Sequence, residues 1–442
     1  GTEHTHVGHQ AGKSITEAHS STLIGYQAGY SLTTGLDNTF IGEEAGFFVT
    51  TGADNTYLGA NAGPNGNTAT GDNNTAVGSA AGDALTTGAL NTFVGSTAGS
   101  AVTTTSNNTA VGSFAFDAGT GTDNTALGAG ALGGASNSAS NNTGLGKDAG
   151  NAISTGAHIT LMGHNSGAAL TTGGYNVAVG SLTMDAQTTA QYNTALGYAA
   201  LTVNSSGQDN TALGHYAMVA NTTGNYNTAV GSYALDANTT AVGQVAVGYN
   251  AATTSNGNYN IAIGYEALKD NSSASGNVAI GVSALENHTT GINTAMGGNV
   301  MASCTTGNSN TAIGYGSLQD LTTSDNNTAV GHNAGHSVTT AAQCTFVGAV
   351  AGNSTAATTG IYNTGIGYGA LNPITGGTYN LAVGGLAGQS CTTGGSNTFI
   401  GGYLTGGGTT GGNNNTLIGY ASGYNTVTNT TGSQNTFVGT NT

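Results

Sequence analysis

The sequence predicts an all-β chain: a parallel β-solenoid of about 26 coils, each of about 17 residues. Three observations predict it. First, a glycine closes a short Asn-Thr-Ala/Phe-Val/Leu/Ile-Gly segment 26 times between Gly8 and Gly439, and 17 of the 25 spacings are 17 residues. The other eight spacings run from 16 to 20 residues. Second, 77 glycines in 442 residues and no apolar stripe of 3.6-residue period argue against helix. Third, composition does not shift anywhere along the chain, so residues 1–442 read as a single continuous solenoid domain.

The repeat Asn74–Leu90 (NTAVGSAAGDALTTGAL) shows the elements in order, with Asn as position 1 and the marker glycine as position 5. Positions 1 to 4 alternate and favour β-structure, so they read as a short strand. Gly at 5 and Thr-Thr-Gly at 13 to 15 read as turns. Position 4 (Val7, Ile24, Ile41, Leu58, Val77, Val94) is expected to be the main core column. Position 3 alternates between alanine and an aromatic (Phe40, Tyr57, Phe93, Phe346, Phe399, Phe437) and is expected to face a neighbouring chain. Position 1 forms an asparagine column: Asn38, Asn55, Asn74, Asn91, Asn108, Asn124, Asn193, Asn210 and Asn227. Stacked amides there would pass hydrogen bonds from coil to coil.

The copies also vary together. Where position 9 is glycine, position 12 tends to be aliphatic, as in Gly29 with Leu32, Gly82 with Leu85 and Gly167 with Leu170. Where position 9 is large, position 12 tends to be polar, as in Leu201 with Asn204, Met218 with Asn221 and Leu285 with His288. A narrow core tolerates neither a void nor an overfill, so one bulky plug per coil is delivered from either position. Leu318 with Leu321 and Leu371 with Ile374 break this tendency.

Charge excludes several classes of function. Only Lys13, Lys147 and Lys269 are cationic, arginine is absent, and the net charge is -16. Nothing could neutralise a run of phosphates, so no nucleic-acid partner is expected. Electrostatic attachment to an anionic membrane is disfavoured for the same reason, and no apolar run is long enough to insert as a helix. With three lysines, the chain offers few sites to trypsin-like proteases. The chain lacks an initiator methionine and starts already in register, which reads as a piece of something longer. Cys304 and Cys391 share a repeat column five coils apart, roughly 24 Å at ~4.8 Å per strand, beyond disulfide reach. With Cys344 they read as small buried thiols.

The unit Asn193-Thr-Ala-Leu-Gly197, followed by Tyr-Ala-Ala-Leu and ending Asn-Ser-Ser-Gly207, resembles the head repeats of trimeric autotransporter adhesins. It also resembles repeat arrays of phage tail-fibre-like bacterial surface proteins. The resemblance covers essentially the whole chain. It implies a left-handed β-roll, three chains side by side, and a place outside the cell on a cell or virion surface. Host-cell receptors or glycans are the outside partners it implies.

Candidate sites are few. His4, His6 and His9 cluster at the start, and around a three-fold axis one His-x-His per chain would supply six nitrogens to a metal; surface histidines are the simpler reading. His164, His215 and His332 share position 6 with several tyrosines, an amphipathic edge column and not a ligand set. Acidic residues recur at position 10 (Asp83, Asp185, Asp236) and at other turn positions (Asp148, Asp320), too thinly for calcium. Asn-x-Ser/Thr sequons occur at Asn73, Asn107, Asn141, Asn204, Asn221, Asn238, Asn271, Asn287, Asn326, Asn353, Asn414 and Asn429, which makes each a glycosylation candidate. Threonine pairs at positions 13 and 14, such as Thr33-Thr34 and Thr86-Thr87, would form rows at strand spacing. Nothing sets a nucleophile beside a base, so neither an enzyme nor a cofactor is expected.

These readings converge on a structural, non-enzymatic extracellular fibre or adhesin shaft, roughly 125 Å long at ~4.8 Å per coil and associating laterally as a homotrimer. A self-assembling, glycosylated end-to-end filament is the first alternative. An ice-binding solenoid built on the threonine rows is the second.

Overall fold

The computed structural model describes residues 3–134, 137–424 and 431–442. The fold is an all-β parallel solenoid, with no helix among the described residues. Contacts divide it into two compact units, 1–224 and 225–442. The first unit holds β1 (Thr5–Val7) through β13 (Thr211–Leu213), and the second holds β14 (Thr228–Val230) through β26 (Thr436–Val438). Every strand has three residues except β18 (Asn293–Met296) and β19 (Asn310–Ile313), which have four. Within each unit, a strand pairs in parallel with its successor one repeat later: Thr22 pairs with Thr39, and Ala262 with Ala279.

The marker glycine is dictated by backbone contact. Gly59 has φ +138°, and a Cβ there would lie 2.6 Å from the carbonyl oxygen of Gly78 in the next coil. An L-side chain fits neither that dihedral nor that space. The spacing of these glycines is therefore the spacing of the coils. Positions 7 and 17 also take the left-handed region, commonly with Asn, Asp, Gln or Tyr: Gln27, Asn61 and Asp148 at 7, and Asp54, Asn107 and Tyr175 at 17.

The core reverses the expected assignment of positions 3 and 4. From β2 (Thr22–Ile24) to β25 (Thr416–Ile418) the position-3 residue is buried, with Phe40, Tyr57, Phe93, Phe346 and Phe399 among the most enclosed side chains. Position 4 faces outward: Val7, Leu58, Leu127 and Leu196 are exposed, and Ile24, Ile41, Val77 and Val94 are half-buried. Parity explains the reversal. Asn at position 1 turns inward to close the coil, and a period of two then forces position 3 inward and positions 2 and 4 outward.

The plug involves three positions rather than two. A Cβ on Gly46 would lie 2.7 Å from the Phe40 ring, and one on Gly99 would lie 2.6 Å from the Phe93 ring. In these coils a large residue at position 3 therefore requires glycine at 9; in the coil of Phe399, where position 9 is Thr405, Gly406 takes that place against the ring. Where position 3 is alanine, position 9 can carry the plug, as with Leu201 above Ala195 and Leu268 above Ala262; all four are buried. Leu201 and Leu268 sit at φ 53° and 52°. The left-handed conformation costs about 1–2 kcal/mol, and burying a leucine returns about 1.5–3 kcal/mol, so burial wins.

Candidate functional surface

The asparagine column is built into the inner wall, where each side chain bonds in two directions. The Asn38 Nδ2 donates to the Gly52 carbonyl (2.8 Å), and its Oδ1 accepts from the Asn55 backbone N–H (3.0 Å). Asn55, Asn74, Asn91, Asn108 and Asn124 continue the pattern, with amide-to-amide contacts of 3.1–3.2 Å from Asn74 onward. Asn142 extends the column until Ile159 replaces the amide, and Asn176, Asn193 and Asn210 resume it. In the second unit Asn227 bonds the Ala241 carbonyl and accepts from the Gln244 N–H. The column rises again from Asn260 through Asn277, Asn293, Asn310 and Asn327, and Cys344 caps that run. Buried amides bonded at both ends hold coils in register, because a lost partner leaves a polar group unsatisfied at about 1–3 kcal/mol.

A second polar device lies at position 12. The Asn204 Nδ2 donates to the Gly207 carbonyl (2.8 Å) and its Oδ1 accepts from the Gly207 N–H (2.9 Å). Asn271 makes the same pair of bonds with Ala274. Asn221 bonds Gly224, and Asn238 bonds Ala241. These four asparagines are fully enclosed, and their glycosylation reading is corrected: the folded coil has no room for a glycan there. A polar residue opposite a large position 9 therefore ties the turn and is not simply filler. Asn73, Asn107, Asn141, Asn287, Asn326 and Asn414 are exposed, Asn353 is half-buried, and Asn429 lies outside the described residues.

The first threonine of most 13–14 pairs is also engaged. The Thr33 hydroxyl donates to the Thr50 carbonyl (3.0 Å), and those of Thr86 and Thr171 make equivalent bonds at 3.0 Å one coil on. Their donor capacity is used between coils, not offered outward.

His4 takes position 1 and His6 position 3 of the first coil, with ring centroids 5.0 Å apart. The His4 Nδ1 accepts from the Ser21 N–H, in the manner of the asparagines. Burial, with His4 beside it, holds His6 below the usual histidine range. His9 lies away from that pair, stacked on Tyr26 at 5.6 Å. Among the described residues, no three His, Cys, Asp or Glu side chains converge on one point.

One close pair was not anticipated from the sequence: Cys304 Sγ lies 3.7 Å from His288 Nδ1 in the interior. The His288 Nε2–H donates to the Gly291 carbonyl, so Nδ1 is the acceptor for the thiol. Burial pushes the Cys304 thiol up to about 11 and His288 down. Both are neutral near pH 7, so no thiolate forms. Cys391 is pushed up to about 12 by burial, and Cys344 is raised as well. All three cysteines are free and buried.

What faces solvent is the strand face, made of positions 2 and 4 and flanked by aromatic rows at 17 and 6. No strand carries Asp, Glu, Lys or Arg. From β1 to β10 (Thr160–Met162) position 2 is an unbroken threonine row. In β15 (Val245–Val247), β16 (Ile261–Ile263) and β17 (Val278–Ile280) both outward positions are aliphatic. At position 6, Tyr198 stacks with His215 and Tyr315 with His332, at 5.6 and 5.8 Å. At position 17, Tyr175 stacks with Tyr192 and Tyr362 with Tyr379, at 5.2 and 4.7 Å.

Comparison of the chain with protein-family models and with curated proteins returns no match. No helix among the described residues is long and apolar enough to cross a membrane.

Proposed function

We propose that the chain is a non-enzymatic extracellular fibre segment. Three copies associate side by side through the strand face and carry or present a binding surface on a cell or virion. One observation carries this reading: a charge-free, partly aliphatic stripe on a chain of net charge -16. Copies of like charge repel over the rest of their surface. They meet at least cost where the face has no charge, and there the exposed aliphatic row leaves water. Thirteen strands at ~4.8 Å, each ~10 Å wide, present roughly 600 Å² per unit. A stable interface needs about 800 Å² from each partner, so the position-6 row that flanks the strand on one side belongs to the contact as well. The inter-coil asparagine and threonine bonds supply the stiffness that a shaft needs. The thiols are buried and neutral, and the one that lies beside a histidine, Cys304 next to His288, is enclosed away from solvent, which supports a structural role.

Sedimentation equilibrium tests the reading. A mass of three chains is the expected result, and a monomer at micromolar concentration overturns it. Filaments of unlimited length in electron micrographs would instead favour end-to-end assembly.

A further inference from the structure

Two of the tyrosine stacks have a chemistry that the lateral contact does not use. Tyr175 and Tyr192 lie one coil apart in the first unit, with rings 5.2 Å apart and inclined by 13°. Tyr362 and Tyr379 do the same in the second unit, at 4.7 Å and 12°. All four are well exposed, at 40–57%. All four stand at position 17 with φ between 55° and 59°, so the same backbone geometry aims each ring along the same edge.

We propose that these two pairs are sites of oxidative cross-linking, in which a dityrosine bond staples each coil to the next. A peroxidase with hydrogen peroxide is the class of oxidant required. Each phenol gives up one electron and its hydroxyl proton, and the peroxide takes both electrons and both protons to become water. The two tyrosyl radicals couple through their ortho carbons, Cε to Cε. Each ring then moves its displaced ortho hydrogen to the phenolic oxygen and regains aromaticity. The net change is one carbon–carbon bond formed and two hydrogen atoms lost.

Geometry favours this coupling over competing reactions. Radicals in solution must find each other, whereas rings held in one stack meet at an effective concentration far above that of dilute protein. The coil spacing holds them there, and exposure admits the oxidant. The chain also contains an internal control. Tyr30 stacks on Phe47 at 4.8 Å and 1°, a more parallel stack of similar separation whose partner has no phenol to oxidise. The consequence is mechanical: a covalent tie between adjacent coils must break before that stretch can unravel.

The test is to oxidise dilute protein with a haem peroxidase and hydrogen peroxide. Dityrosine fluorescence is expected, with a chain mass lower by two hydrogens per bridge and cross-linked peptides joining 175 to 192 and 362 to 379. Tyr192→Phe with Tyr379→Phe keeps both stacks and should abolish these peptides, with an unchanged circular dichroism spectrum. Tyr30 should appear in no intrachain bridge. Undiminished bridging in the double variant, bridges formed only between chains, or no dityrosine in the wild type would overturn the proposal. None of these outcomes depends on whether three chains associate.

Discussion

The two units share one interior but present different exteriors. In the first, the outward position 2 is threonine in ten successive strands, and thirteen of the chain's nineteen acidic residues lie in that unit. In the second, β15 to β17 turn aliphatic side chains outward at both positions, half-buried except for the exposed Ile263, as only Val177 and Val179 do in the first, and only six acidic residues are present. Inside, both units stack asparagines, marker glycines and bulky apolar plugs. The contrast marks where the sequence is free to vary. Interior letters are fixed by contact with the coils before and after, whereas position 2 touches solvent and follows whatever the face must do. On the association reading, the second unit supplies most of the lateral affinity and the first supplies a polar, more weakly adhering stretch.

Charge placed on each face in turn should separate the two units most sharply. Val247→Asp with Ile263→Asp puts two carboxylates on the aliphatic patch, where a buried unpaired charge costs about 3–5 kcal/mol. Self-association should fall at least a hundredfold, read by sedimentation. Thr92→Asp with Thr109→Asp makes the matching change on the threonine row and should weaken association far less. Equal losses from both pairs would show that the two faces contribute alike.

The interiors, in contrast, should respond alike. Gly99→Ala in the first unit drives a Cβ into the Phe93 ring, and Gly352→Ala in the second drives one into the Phe346 ring. Both glycines have φ +62°, so left-handed strain adds to overpacking. Each variant should lose about 2–4 kcal/mol of local stability, measured by hydrogen exchange in the affected unit. A large difference between them would mean that the cores are less equivalent than their contacts indicate.

The coil and its turns were legible in the sequence because both rest on glycine, whose requirement for space and dihedral shows as a fixed beat. The direction of the strand was harder to read. Val or Ile at position 4 is more apolar than Ala at 3, so hydrophobicity points to the wrong face of a three-residue strand. The asparagine at position 1 settles the matter, since its amide must reach the closing turn and position 3 follows by parity. One overlooked signal was present: Phe40, Tyr57, Phe93 and Phe346 are each followed by glycine six residues later. The position-12 asparagines misled in a similar way. Asn204-Ser-Ser and Asn221-Thr-Thr have the letters of a glycosylation sequon, but the side chain turns inward to tie its own turn. The Cys304–His288 contact joins residues in adjacent coils, and only the stacking register brings them together.

The smallest expected difference between the units concerns acid. Asp83, Asp117 and Asp185 in the first unit and Asp236 in the second are held above the usual carboxylate range by burial, with backbone hydrogen bonds acting the other way. A raised folded value means that the folded state binds more protons than the unfolded state across the interval between the two values. The resulting stability is fully present below the ordinary carboxylate value of 3.8 and is lost as pH rises through the raised values. Acidification should therefore protect the amides of both units against exchange, and the first unit more, since it holds three such groups. Relief of general charge repulsion also favours the first unit, so the buried groups must be isolated by substitution. Asp83→Asn, Asp117→Asn and Asp185→Asn together should raise protection at neutral pH and flatten its rise toward pH 4. If the triple variant retains the full pH dependence, repulsion among exposed carboxylates is its cause and these three positions contribute nothing to it.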